Sequence, residues 1–537
     1  MNSSSIRPGE PCRRRRRFLV EALAGISLSL ALVPATAAAQ FAAADPQVSQ
    51  ALRREARGDR EVAAFYQRRN YRPLWIENGQ FGPQVDKLLQ LLSTAEADGL
   101  NPRNYRVNSL IERLYDAQQG SPRELARVEF QLSRTFARYV QEVRQPRDVG
   151  MIYTDEAYRP VVPNRTQVLD MAAAAPDLGN WLESIGWMNH LYARLRGALA
   201  AQLGSEGAQQ NLHVPSGPIL RPGSSDPRVR LLRARLGLPA DGGYDTRVVN
   251  AVRQIQRAHD IPADGLAGPL TLSVLNTGSV DQQRLLRLNL ERARALPADL
   301  GRRYILVDAA AARLWMYENG ESQGTMRVVV GKPTEPTPMM AATMRYISLN
   351  PYWNIPPDLV RERVARAVLD DGPGVIRARR YQILSDWTDN ARIVDPREVN
   401  WRAVAGGQQE IRVRQLPGPD NAMGRMKFMF PNDLGVYLHD TPDRGLLREE
   451  ARLFSAGCVR LEDAPRLAAW LFGRTPRREG SEPEQRVDLP EPIPVYIVYM
   501  TVAPEPQGVA HRQDVYNRDP VQFANLFGET NRRRRNR

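Results

Sequence analysis

The chain changes texture once, near Arg303, and that change constrains its fold more than any other feature. Before it, apolar residues recur at three- and four-residue spacing, as from Val85 to Leu92 and from Leu125 to Val143. That is the periodicity of helices with one buried face. After it come short apolar, β-branched and aromatic runs: Tyr304 to Asp308, Arg313 to Tyr317, Met326 to Val330, Met344 to Leu349, Lys427 to Phe430, Gly435 to Leu438 and Val495 to Val502. Glu318-Asn319-Gly320-Glu321 marks a tight hairpin, because Asn-Gly accepts the positive φ angles of a type I′ turn. A chain of 537 residues has room for two to four domains. The pattern predicts a multi-domain α+β protein, helical first and mostly β afterwards.

The ends read differently from the body. Arg13 to Arg17 precede an apolar run from Phe18 to Val33 and the small residues Ala37-Ala38-Ala39. This is the charge, apolar-core and cleavage pattern of a signal peptide over 1–39, and Arg-Arg-Arg-Phe-Leu also resembles a twin-arginine signal. The expected mature chain is exported and has no stable membrane span; the resemblance given below implies that it works in the periplasm. Helical scaffold is expected over 40–215, broken by the turn residues Asp98-Gly99-Leu100-Asn101-Pro102. A Pro/Gly/Ser linker then opens a compact unit over 216–278, followed by a linking helix over 279–302 and the β domain over 303–502. Residues 356–419 read as an insertion in that domain, helical near Asp358 to Leu369 and suited to a lid. Its arginines Arg361, Arg363, Arg366, Arg377, Arg379 and Arg380 read as a solvated face. Trp353 beside it reads as core, and 503–537 as a poorly ordered basic tail.

The net charge of +14 gathers at the ends, with six arginines in 1–39 and five in the last seven residues. The body is mildly basic, which suits an anionic envelope and gives no reason to expect nucleic acid. Two cysteines and five histidines, with no CxxC or HxxxH spacing, exclude a disulfide framework and a cysteine-rich zinc site. No metal and no cofactor is expected.

One segment carries chemistry. Val436-Tyr437-Leu438-His439-Asp440-Thr441-Pro442 ends a strand on a histidine, and nineteen residues later Cys458 follows Ser455-Ala456-Gly457. Gly457 permits a tight turn that exposes adjacent N–H groups, the donors an oxyanion needs. A thiol with a pKa of about 8.5 needs a neighbouring base to attack at neutral pH, so Cys458 with His439 is the smallest set for acyl transfer. A buried cysteine beside a strand-end histidine is an equally cheap reading of the residues alone.

Two resemblances bear on that choice. Ile255-Gln256, Asp264-Gly265-Leu266-Ala267-Gly268 and Thr271 resemble the pattern of the three-helix peptidoglycan-binding module. The His439…Ser455-x-Gly457-Cys458-Val459-Arg460 pattern is similar to the signature of the L,D-transpeptidases, cysteine enzymes that cross-link peptidoglycan. Tyr71-Arg72-Pro73-Leu74-Trp75, Asn350 to Pro356, Pro431-Asn432 and His439-Asp440-Thr441-Pro442 extend the likeness to the large periplasmic subgroup. Ala456 departs from the general family, where a histidine often precedes Gly-Cys; in the large subgroup the position is commonly small.

The resemblance implies a mostly β, sandwich-like catalytic domain with an inserted helical lid, an all-α scaffold and the three-helix module. It implies that Cys458 attacks the carbonyl between the third residue of a stem tetrapeptide and its terminal D-Ala, with His439 as base and then acid. The amine of a second stem would take the acyl group. Tyr437 would line the oxyanion side or pack in its strand, and Ser455 would orient His439 or begin the turn. Arg460 would bind a stem carboxylate or, as the leading expectation, pair with Glu462 or Asp463. Peptidoglycan stems are the expected partners, cell-wall synthases are possible ones, and carbapenems the expected probe. Two alternatives stay open: an L,D-carboxypeptidase using water as acceptor, and a catalytically degenerate wall-binding scaffold.

Overall fold

The structure, a computed structural model, describes residues 45–527 apart from 206–213, 216, 259–261, 269–270, 273–274, 276–278, 389, 450 and 506–507. The expected signal peptide over 1–39, parts of the linker and module, and residues 528–537 lie outside the described residues. Among the described residues no helix is long and apolar enough to cross a membrane.

The scaffold is built on helix α1, Pro122–Arg144. It starts where it does because Ser121 and Glu124 close a capping box and Pro122 needs no N–H partner at the first position. One face of α1 buries Leu125, Val128, Phe136, Tyr139, Val140 and Val143. In the middle of that face lies Glu129, which no apolar pattern explains. Its carboxylate accepts from the Tyr66 hydroxyl at 2.7 Å and from the Leu74 and Trp75 amides at 2.5 and 3.0 Å. The Tyr71-to-Trp75 loop is thereby pinned to α1, and burial pushes Glu129 up to about 7. Asp98 pins the other turn, accepting from Tyr139 at 2.7 Å, Tyr192 at 2.8 Å and Arg196 at 3.0 Å.

In the module, helices Arg228–Arg235 and Thr246–Ala258 pack Val229, Leu232, Val248 and Val252 against Ala267, Leu272 and Leu275. Gln256 is 1% exposed. Its amide nitrogen donates to Asp264 at 2.7 Å and Leu266 O at 3.0 Å, while its oxygen accepts from Gly265 N at 2.8 Å. The motif residues seen in the sequence therefore tie one turn shut. Helix α2, Ser279–Arg294, leads from the module into the sheet.

Strand β1, Ile152–Tyr153, comes from the scaffold and pairs in parallel with Met340–Leu349 of the β domain. That domain then runs β2 Arg303–Asp308, β3 Arg313–Glu318, β4 Glu321–Gly331, β5 Met340–Leu349, β6 Trp353–Ile355, β7 Tyr381–Leu384, β8 Ile393–Val394 and β9 Arg412–Gln415. It continues with β10 Met426–Met429, β11 Leu438–His439, β12 Leu453–Ser455, β13 Val459–Leu461 and β14 Gln485–Val498. The hairpin forms as the sequence predicts, with Glu318 opposite Glu321 and Asn319 and Gly320 both at positive φ. The main sheet runs β10-β11-β13-β4-β3-β2-β14-β5, and β10 also pairs with β5. One sheet thus closes on itself where two facing sheets were expected.

Two expectations need correction. The insertion is not a purely helical lid: β6, β7, β8 and β9 form a four-stranded sheet of their own. It packs with the helical run from Pro357 to Asp371 around Ile355, Val360, Val364, Ile383 and Val413. Strands of two to four residues leave too little pattern to read. Trp353 lies partly buried on this core, and the six arginines are exposed. Nor is all of 503–537 loose. Strand β15 Val502–Glu505 pairs antiparallel with β16 Gly508–His511, and Asp519–Phe527 is a helix. Asp519 pairs with Arg292 of α2 at 2.7 Å, and Asp308 with Arg512. These anchors lie more than 200 residues away in sequence, so composition gives no hint of them.

Candidate active site

The register of three strands assembles the site. β11 runs parallel to β13 with Leu438 opposite Val459 and His439 opposite Arg460. β10 runs antiparallel to β11 with Phe428 opposite Leu438 and Lys427 opposite His439. Phe428, Leu438 and Val459 are all 0% exposed in the core. Strand alternation therefore turns Lys427, Tyr437, His439, Cys458 and Arg460 to the other face together. Cys458 and His439 are diagonal neighbours across the β11–β13 pair.

The Cys458 side chain is half-buried and in no disulfide. Its thiol donates to Gly435 O at 3.5 Å, and Tyr437 lies near enough to favour its ionised form. Packing raises the thiol above its ordinary value, against the opposing pull of Tyr437, Lys427 and Arg460. The His439 ring is 1% exposed and lies 5.9 Å from the Tyr437 ring, edge to face. Its Nδ1 sits 2.6 Å from Asp440 O. A carbonyl only accepts, so the proton is on Nδ1 and Nε2 keeps its lone pair. Burial, then the charge of Arg460, lowers His439 to about 3. Thiol and imidazole both rest neutral.

Asp440 is structural: it accepts from Arg425 N at 2.9 Å and pairs with Arg444 at 2.8 Å. Gly424, at φ +62°, leaves room for it, since a Cβ there would fall 2.5 Å from Asp440 Oδ2. Gly457 has φ +99° with nothing closer to a Cβ than Pro336 O at 4.0 Å, so conformation and not space demands glycine. Its carbonyl accepts from Thr337 Oγ1 at 2.9 Å. Ser455 does not orient His439; its hydroxyl donates to Cys458 O at 2.5 Å and closes the turn. Arg460 does not pair with Glu462 or Asp463. Glu462 is taken by Arg327, whose backbone N lies 2.8 Å and Nε 2.9 Å away, and Asp463 caps the helix Ala464–Phe472. Arg460 Nε is left buried without a partner.

Lys427 is the residue sequence reasoning missed. It is 8% exposed, and its ammonium stands 4.8 Å from the Tyr437 ring centroid. A single lysine in a four-residue strand reads as solvent-facing, and only cross-strand register shows otherwise. Among the described residues no group of three or more His, Cys, Asp or Glu is arranged to hold a metal.

Residues 60–199 match the family described as "Scaffold domain", 228–275 "Putative peptidoglycan binding domain" and 302–490 "L,D-transpeptidase catalytic domain". A Haemophilus influenzae protein named "Putative L,D-transpeptidase" is 31% identical over 258 residues, 47% of this chain. The chain spans about half (51%) of that relative's length. Two solved structures are similar at lower identity. The L,D-transpeptidase of Xylanimonas cellulosilytica DSM 15894 is 16% identical, covering 53% of this chain and 99% of that one at a TM-score of 0.15. The Ldtfm–avibactam carbamoyl enzyme is 14% identical, covering 41% and 62% at a TM-score of 0.18. Scaffold, peptidoglycan-binding and L,D-transpeptidase catalytic models thus match one after another along a single polypeptide, and together with the Haemophilus relative they support a multi-domain L,D-transpeptidase.

Proposed function

We propose that the protein is a periplasmic peptidoglycan L,D-transpeptidase that joins third-position residues of two stem peptides through a Cys458 thioester. The observation that carries this is the shared face of β10, β11 and β13, where a thiol, an imidazole with free Nε2 and two cations meet. On substrate entry Cys458 attacks the carbonyl before the terminal D-Ala, and His439 Nε2 takes the thiol proton. His439 returns that proton to the leaving D-Ala amine. The Gly457 and Cys458 amides, with the Tyr437 hydroxyl, stabilise the oxyanion; losing one such donor costs about 2.7–4 kcal/mol in other enzymes. The side-chain amine of the second stem then attacks the thioester, and the thiol is restored. Domain limits of 40–215, 216–278 and 303–502 accompany this reading, with 1–39 removed on export.

Incubation with tetrapeptide muropeptides is the test. Dimers with released D-Ala support transfer, tripeptide alone supports hydrolysis, and neither product supports the degenerate wall-binding protein. A carbapenem mass adduct absent in Cys458→Ser identifies the nucleophile.

A further inference from the structure

Lys427 has no role in the proton transfers above, yet its place is hard to explain as packing. A lysine loses several kcal/mol on burial unless its charge is answered. Among the described residues its ammonium makes no hydrogen bond or ion pair, and it rests on the ring of Tyr437, which stands opposite Cys458 in the β11–β13 register. The groups around Cys458 are Tyr437 and His439 on β11, Arg460 on β13 and Lys427 on β10. Glu484 before β14 reaches Lys427, while Asp443 and Arg363 reach Arg460. Two cations thus face the thiol, and the one carboxylate near Lys427 is partnered with it by charge alone.

We propose that Lys427 is a positioning residue that sets the charge of the nucleophile. It acts through Tyr437 and across the face, so that in the free protein the charge of the sulfur, once its proton has gone to solvent, is balanced from β10, while His439 stays neutral until it takes the thiol proton in the reaction. A cation there lowers the energy of the thiolate and raises that of the imidazolium, so the two histidine-centred and lysine-centred schemes separate in experiment. This rests on Cys458 being the nucleophile. Iodoacetamide alkylation of the full chain from pH 6 to 11 tests it, with Cys458→Ser as the blank. Lys427→Met should slow alkylation about tenfold below the midpoint, equivalent to one pKa unit, with the alkaline plateau unchanged. Lys427→Arg should restore it. Equal profiles for wild type and Lys427→Met, or a lowered plateau that Lys427→Arg also shows, overturn the proposal. Alkylation of Cys458 with no muropeptide turnover would remove the proposed function while leaving this inference standing.

A different observation, in the scaffold, supports a second site. A cleft of about 840 Å³ is lined by Arg103 and Arg106 from one turn, Arg113 from the next helix, and Arg127, Arg134 and Arg138 from α1. Arg165 also lines it, against Glu55 as the lining carboxylate. Glu55 reaches Arg127 at 3.9 Å, Asp59 serves both Arg134 at 3.6 Å and Arg165, and Glu142 takes Arg138 at 2.8 Å. Arg113 meets only the Gln131 amide, and Arg103 and Arg106 make no side-chain hydrogen bond or ion pair among the described residues. Guanidinium forks so crowded repel one another and suit a ligand bearing several carboxylates. We infer that the cleft holds stem-peptide carboxylates of the peptidoglycan strand, a contact separate from the module; this too rests on peptidoglycan being the substrate. Full-length Arg103→Glu/Arg106→Glu/Arg113→Glu should lose at least tenfold of sacculus retention at 0.15 M salt, and the milder Gln triple about threefold. Wild-type retention should fall as salt rises. Unchanged retention, or loss confined to phosphatidylglycerol vesicles, overturns the assignment.

Discussion

Gly457 shows how the backbone conformation of one residue can shape a site. At φ +99° it lets the chain fold back so that Cys458 and Arg460 share a face with His439. Gly457→Ala meets no clash, so its cost is conformational, about 1–2 kcal/mol, and muropeptide turnover should fall while thermal stability drops only slightly. Proton bookkeeping gives a second residue-scale expectation. With the thiol raised and His439 lowered to about 3, neither group titrates between pH 5 and 8 in the free protein. Wild-type alkylation should therefore climb about tenfold per pH unit through neutrality, and a plateau at pH 7 would show a standing thiolate–imidazolium pair. That His439 and Cys458 lie side by side was legible because strand, turn and glycine fall within 22 residues. Lys427 and the true partner of Glu462 were not, since both depend on which strand lies alongside.

Among the elements, α1 carries a buried acid in the middle of its apolar face. Glu129 in the folded scaffold holds its proton up to about pH 7, against an ordinary value of 4.5. The folded state therefore binds this proton more tightly than the unfolded chain. Its contribution to stability is complete below pH 4.5 and is lost as pH rises through about 7. Glu129→Gln should remove that slope in thermal unfolding followed from pH 4 to 8. It should also cost about 1–3 kcal/mol, because one amide oxygen cannot serve every donor that two carboxylate oxygens accept. The helical periodicity of α1 was open to reading; the acid within it was not, because its donors come from the loop around Leu74. Likewise the turns of the module were legible as a motif, whereas the reason for Gln256 appears only when its amide is seen bridging Asp264, Gly265 and Leu266.

Across the whole molecule, long-range ties join segments that composition keeps apart. The Tyr516 hydroxyl donates to Gly331 O at 2.8 Å, Arg518 reaches Thr337 O at 3.0 Å, and Thr337 holds Gly457 O. A chain ending at 502 keeps Cys458 and His439, yet should lose most turnover, and Tyr516→Phe should show a smaller loss with the same sign. Restored turnover on adding back residues 503–527 as a peptide would confirm that the contact, and not the covalent link, matters. The same arrangement orders events in time. Ribosomal synthesis delivers Cys458 about sixty residues before Tyr516 and Arg518 exist. Thr337, which holds Gly457 O, is already made by then, but the residues that brace Gly331 and Thr337 from behind arrive last.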